Sequence, residues 1–191
     1  MHRIFVEGKD KDFLEYLIGH YMNTVSAYEI ISVGGKNNLH SVANKFRENT
    51  DNGGINLIIF DADSPENQGG YERNYAEIQD VVNQLGISVN GVFLFPDNSS
   101  DGDLESLLEG LVPAEKKGIL TCFGEFESCL RQLPIAELIR FPNRKRKMFL
   151  YKDVLVEKGD KTFAFENSNI WNFESPVLEN LKTFLRQYFE P

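Results

Sequence analysis

IFVEG at residues 4–8 and LIIFDAD at residues 57–63 are two apolar runs that each end in acid. A short run of branched and aromatic residues bounded by turn formers reads as a strand buried on both faces, the habit of a central parallel sheet. Sheets of this kind present their working groups at the carboxyl ends of the strands. If the two strands are neighbours, Glu7, Asp61 and Asp63 converge, and their mutual repulsion has to be relieved by shared protons or by a hard divalent cation. Magnesium is the expected ion, with manganese as its substitute.

Working outward, the first half of the chain alternates strand and helix signals, the pattern that builds a parallel sheet with helices on its faces. After strand RIFV, Asp10 and Asp12 open a helix whose apolar stripe is Phe13, Leu14, Leu17, Ile18 and Tyr21. Strand AYEIISV follows, and Gly34 and Gly35 turn the chain into a helix with Leu39, Val42, Ala43 and Phe46 inward. Strand INLIIF leads through the loop SPENQGG to a third helix marked by Tyr71, Tyr75, Ile78, Val82 and Leu85, and then to strand GVFLF, which stops at Pro96. The fold class is therefore α/β: a mostly parallel four-stranded sheet with flanking helices over residues 1–96, followed by a mostly helical extension over 97–191.

In the extension, Leu104, Leu107, Leu108 and Leu111, then Phe123, Phe126, Cys129 and Leu130, keep helical spacing. Cys122 and Cys129 lack metal-ligand spacing and read as core thiols on one helix face. Lys147 to Phe165 fits either a helix, through KMFLYKDVL, or a short hairpin, through KTFAF. At the C-terminus Ser175 caps, Pro176 suits the first turn, and Val177, Leu181, Phe184, Leu185 and Tyr188 form an amphipathic helix.

The 191 residues suit one good core with an appendage, and the fifteen Phe supply bulk for it. A net charge of −9 excludes coating of nucleic acid or of an anionic membrane by bulk attraction, so any basic contact surface must be local. The densest positive stretch is Arg140, Arg144, Lys145, Arg146 and Lys147, where a nucleic-acid backbone would be held, although such runs are more often solvated helix faces. Phe141 and Phe149 beside it read as core. The start, MHRIFVEGKD, has neither a leader's apolar run nor an anchor's, which implies a cytoplasmic address and no membrane contact. GGK at 34–36 lacks the spacer and the hydroxyl residue of a phosphate loop.

A glutamate ending the first strand and an Asp-x-Asp pair ending the third, each followed by a helix, resembles the TOPRIM superfamily, closest to small standalone TOPRIM-like proteins related to the overcoming-lysogenization-defect nuclease branch. The resemblance spans residues 3 to about 96. It implies that Glu7 matches the family's glutamate and that Asp61 and Asp63 match its magnesium-binding pair. FPDNSSDGDLESLLEG looks like the nuclease branch's segment after the fourth strand, with Glu105 as an added metal ligand. The chain departs from that branch at Lys11, where an aspartate is usual, with Asp10 and Asp12 on either side: a one-residue shortening of the turn would restore an equivalent carboxylate, and otherwise the second metal position is missing.

The resulting expectation is a magnesium-dependent phosphoryl-transfer enzyme on nucleic acid, foremost a phosphodiester-cleaving nuclease. Glu7, Asp61 and Asp63 would be catalytic, these three and Glu105 would face the metal, and Lys9, Lys11 or Lys36 would neutralise the phosphate. Two alternatives are a non-catalytic TOPRIM-like module binding nucleic acid or protein, prompted by Lys11, and a phosphatase or nucleotidyltransferase on small phosphate esters. The ordinary readings of the same acids are turn formation for Asp61 and Asp63 and helix-dipole stabilisation for Glu105.

Overall fold

The computed structural model describes residues 1–8, 10–22, 27–156 and 165–189. Four strands, β1 (His2–Val6), β2 (Tyr28–Ser32), β3 (Ile55–Asp61) and β4 (Gly91–Phe95), pair in parallel in the order β2-β1-β3-β4. Ile4, Phe5 and Val6 of β1 and Leu57 to Phe60 of β3 are fully shielded from solvent, as expected of unbroken apolar runs in the two central strands. Among the described residues the α-helices are α1 (Asp10–Tyr21), α2 (Leu39–Asp51), α3 (Tyr71–Leu85), α4 (Leu104–Gly110), α5 (Lys117–Arg131), α6 (Arg144–Asp153) and α7 (Glu179–Phe189). None of these helices is long and apolar enough to cross a membrane.

The chain runs from β1 to β2 on one side, then passes over to β3 on the other side of β1 and continues outward to β4. Right-handed crossovers therefore put α1 on one face of the sheet and α2 and α3 on the other. The cores agree. Phe5, Ile58, Phe60 and Leu94 share a buried cluster with Leu39, Phe46, Ile78 and Val82, and the Phe5 and Phe46 rings stack 3.6 Å apart. On the opposite face Phe13 of α1 meets Phe95 edge-on at 6.1 Å, and Phe184 of α7 lies 5.4 Å from Phe93.

Two compact units make up the chain, one of residues 1–107 with 176–191 and one of residues 108–175. The C-terminal helix, which the sequence groups with the extension over 97–191, thus belongs with the α/β unit: its Phe184 covers the sheet and its Tyr188 hydroxyl donates to the Asn90 carbonyl at 2.8 Å. It begins after a short 3₁₀ turn at Pro176–Leu178, and the Ser175 hydroxyl donates to the Gly110 carbonyl at 3.2 Å.

The second unit has an aromatic core in which Trp171, 1% exposed, lies 5.6 Å from Tyr151 and 6.0 Å from Phe165. Of the two readings of Lys147 to Phe165, the helix holds through Asp153, whereas residues 161–164 of the hairpin candidate lie outside the described residues. Two expectations fail here. Cys122 and Cys129 are exposed rather than core thiols, and Phe149 is 54% exposed. The exposed cysteines follow from α5, in which no residue is buried despite its apolar stripe, and Phe149 lies off the buried side of α6, which is Met148 and Tyr151.

Candidate functional site

The strand order reverses between β1 and β3, and a crevice opens beyond the carboxyl ends of such a pair because the loops leaving them diverge. Side chains alternate along β3, so Phe60 and Ala62 face the α2–α3 core and Asp61 faces the side of α1. Asp61 is only partly open to solvent and one of its carboxylate oxygens accepts the Leu104 N–H at 2.8 Å, at the start of α4. Its pKa nevertheless stands well above the ordinary carboxylate value. Burial is the main cause, followed by the charges of Asp10 and Glu7 and, more weakly, Glu105, against which the Leu104 bond is insufficient. Four acids, from the end of β1, from α1, from β3 and from α4, therefore share one electrostatic neighbourhood.

Glu7 leaves β1 half-buried, and its carbonyl accepts the Gly34 N–H at 2.7 Å, which ties the ends of β1 and β2 together. Asp10, the first residue of α1, is 7% exposed. Lys11 is at the surface, 3.5 Å from Glu15, so the buried acid of this turn comes one residue earlier than the resemblance leads one to expect. The sequence offers Asp10 both as a helix-start acid and, with Asp12, as one that a one-residue shortening of the turn would bring into the place of Lys11. Its sign was available in the pattern, because Asp10 lies three residues before Phe13 and four before Leu14, on the inward stripe of α1.

Asp63 is built differently. Its backbone is left-handed (φ 58°), its peptide bridges to Gly102, and one side-chain oxygen lies 3.4 Å from the Asn74 amide nitrogen. An alanine methyl at Gly69 would run into the Asp63 side chain, so the loop closes over this residue. Asn74 of α3, 2% exposed, also donates to the Ala62 carbonyl at 2.8 Å and accepts from Lys36 Nζ at 2.5 Å. Lys36 pairs as well with Glu77, whose carboxyl is held below its ordinary value by hydrogen bonds from Lys36 and Arg73. A cation is thus linked to the Asp-x-Asp segment through one buried amide that the sequence did not single out.

Lys9 lies outside the described residues. The run from Arg140 to Lys147 belongs to the helical unit, where Arg144 lies 3.6 Å from Glu109 and Lys147 pairs with Glu127 at 2.5 Å. Among the described residues no three His, Cys, Asp or Glu side chains stand together as a ready cation cage. The donor set is nonetheless all carboxylate oxygen, the chemistry of a hard dication, and magnesium needs only one or two direct carboxylates because it keeps most of its water.

A Rossmann-like α/β protein with a helical segment after its sheet, carrying acids at the topological switch point, is the class these features define. The chain belongs to DUF3226, a family described as protein of unknown function, whose model matches residues 1–190. No curated protein and no solved structure matches it.

Proposed function

We propose that the chain is a TOPRIM-like, magnesium-dependent phosphoryl-transfer protein that cleaves phosphodiesters of nucleic acid. The observation that carries this reading is the gathering of Asp10, Glu7 and Glu105 around the partly buried Asp61 at the β1–β3 switch point, where burial and like charge oppose ionisation of Asp61. Concentrating carboxylates where each raises the cost of the next is unfavourable unless a cation or a proton joins them. Asp61 and Asp63 would hold the metal, with Glu7, Asp10 and Glu105 completing the charge around it. Bound there, magnesium supplies positive charge to a phosphate oxygen and acidifies a coordinated water.

The protein groups do the rest. Glu7, half-buried at the mouth of β1, takes or returns a proton at the reacting oxygen. Lys36, positioned by Asn74, neutralises phosphate charge as it accumulates. Asp10 weakens the motive for a non-catalytic module, because it places a buried acid in the turn where Lys11 left one missing.

The test is cleavage of single- and double-stranded DNA and RNA in Mg²⁺ or Mn²⁺ by the wild type, Asp61→Asn and Glu7→Gln. Loss of cleavage in both variants is expected. Equal activity in all three overturns the enzyme reading, and turnover of mononucleotides without polymers replaces it with a small-ester phosphatase or nucleotidyltransferase.

A further inference from the structure

The helical unit carries an open groove of about 400 Å³ lined by Phe126 and Leu130 of α5 and Phe149 and Leu150 of α6. That volume is in the range of side-chain and ligand sites, roughly 300–1,000 Å³. Its floor is unusual for a surface, since Phe126 is 56% and Phe149 54% exposed. Arg140 and Arg146 stand at its edge, exposed. Neighbouring cations are paired, Arg144 with Glu109 and Lys147 with Glu127, whereas Arg140 and Arg146 have no ion pair among the described residues.

We infer that this groove docks an acidic amphipathic helix of a protein partner, its apolar side chains on the floor and its carboxylates on Arg140 and Arg146. Charge complementarity selects this occupant. A two-fold contact between identical grooves would bring the same arginines together, which disfavours a second copy of the chain. A single strand of nucleic acid is anionic too, but it binds by stacking bases on open aromatic faces. Here Lys152 Nζ lies 5.2 Å from the Phe149 centroid, and Leu130 and Leu150 have no ring to offer. Apolar anchors at successive helical turns need such a floor of mixed aliphatic and aromatic carbon. The inference does not depend on the metal site.

The experiment uses the full chain and a fluorescein-labelled helical peptide with leucines at i, i+3 and i+7 and glutamates on the flanks, followed by fluorescence anisotropy. The glutamate peptide is expected to bind and to lose about tenfold in affinity with the R140E/R146E double variant. Its lysine counterpart should bind that variant more tightly than the wild type. Because the substituted residues are exposed, thermal unfolding should match the wild type, and F126A/F149A should lose binding of both peptides. Equal binding of the two peptides by the wild type overturns the inference. So does displacement of the glutamate peptide by oligothymidylate, or a wild-type dimer that F126A/F149A dissolves.

Discussion

The two ends of the sheet solve the burial of polar groups in opposite ways. At the amino end, the Asn56 side chain of β3 is fully buried and saturated: its two amide N–H groups are shared among the carbonyls of Phe46 and Ser88 and the Thr50 hydroxyl, each 3.0 Å from the nitrogen, and its oxygen accepts from Asn49 at 2.9 Å. Arg3 beside it in β1 is held by Glu29 and Glu48 at 3.0 and 2.8 Å and by the Lys45 carbonyl. At the carboxyl end of the same strand, Asp61 accepts a backbone N–H but faces Asp10, Glu7 and Glu105. A saturated amide network strengthens a fold, whereas like charges gathered in a low-dielectric crevice weaken it. The difference teaches where this molecule keeps unspent interaction capacity.

The sharpest way to break that contrast is Asn56→Leu. It takes a buried partner from the Asn49 amide, the Thr50 hydroxyl and the Phe46 and Ser88 carbonyls at once, and a loss of about 3 kcal/mol in urea unfolding is expected. A change within a few tenths of a kcal/mol would mean that the amino end is no more committed than the carboxyl end.

Asp61→Asn should move stability the other way. The asparagine oxygen can still accept the Leu104 N–H, while the penalty of ionising a buried acid among acids disappears. Because the folded pKa is raised above the ordinary carboxyl value of 3.8, the folded state binds its proton more tightly than the unfolded chain does. The wild-type penalty is therefore absent below pH 3.8, grows as pH rises through the unfolded value, and is complete above the folded one. The gain from Asp61→Asn should appear in melting temperatures near neutral pH and vanish in acid. Saturating Mg²⁺ should raise the wild-type melting temperature and leave the variant unmoved.

Asp97 sharpens the comparison within the carboxyl end itself. Burial pushes its carboxyl up, but backbone and hydroxyl bonds from Ser100 and Ser99, at 2.7 to 2.9 Å, together hold it below the ordinary value. Its contribution is present above pH 3.8 and is lost as pH falls through the folded value. Asp97→Ala should cost about 1 kcal/mol at neutral pH, with the difference from wild type closing in acid. An acid-independent difference would show that the loop is held by shape rather than by charge.

The smallest effect is expected in the helical unit. Phe126→Ala removes a ring already 56% exposed and should stay within about 0.5 kcal/mol of the wild type in the same unfolding assay. A larger loss would mean that the α5 stripe is stabilising the fold rather than lying open.

IFVEG and LIIFDAD were legible as central strands because an unbroken run of Ile, Leu, Val and Phe has few stable settings except between two helical layers, and the acid at each end marks the carboxyl edge. Periodicity likewise located α1 to α3 and α7. It misjudged α5, since spacing reports which residues share a face and not whether anything covers that face: Phe126 keeps helical register and stays exposed. Asn74 was illegible as a site residue for a related reason, as it gains its role from Lys36, a neighbour far away in the chain, whereas Asp10 was legible as an acid that a shorter turn could bring into the place of Lys11.

By itself the sequence determined the alternation of strands and helices, the parallel sheet and the acids at two of its strand ends, because these depend on local residue size, branching and periodicity. Tertiary structure alone decided that β1 and β3 are adjacent, that Asp10 rather than Lys11 joins the buried acids, that Asn74 links Lys36 to the Asp-x-Asp segment, and that the final helix returns to the sheet. Each of these is a long-range pairing, set by the crossing of the chain over β1 and by the burial it creates, and no stretch of neighbouring residues encodes it.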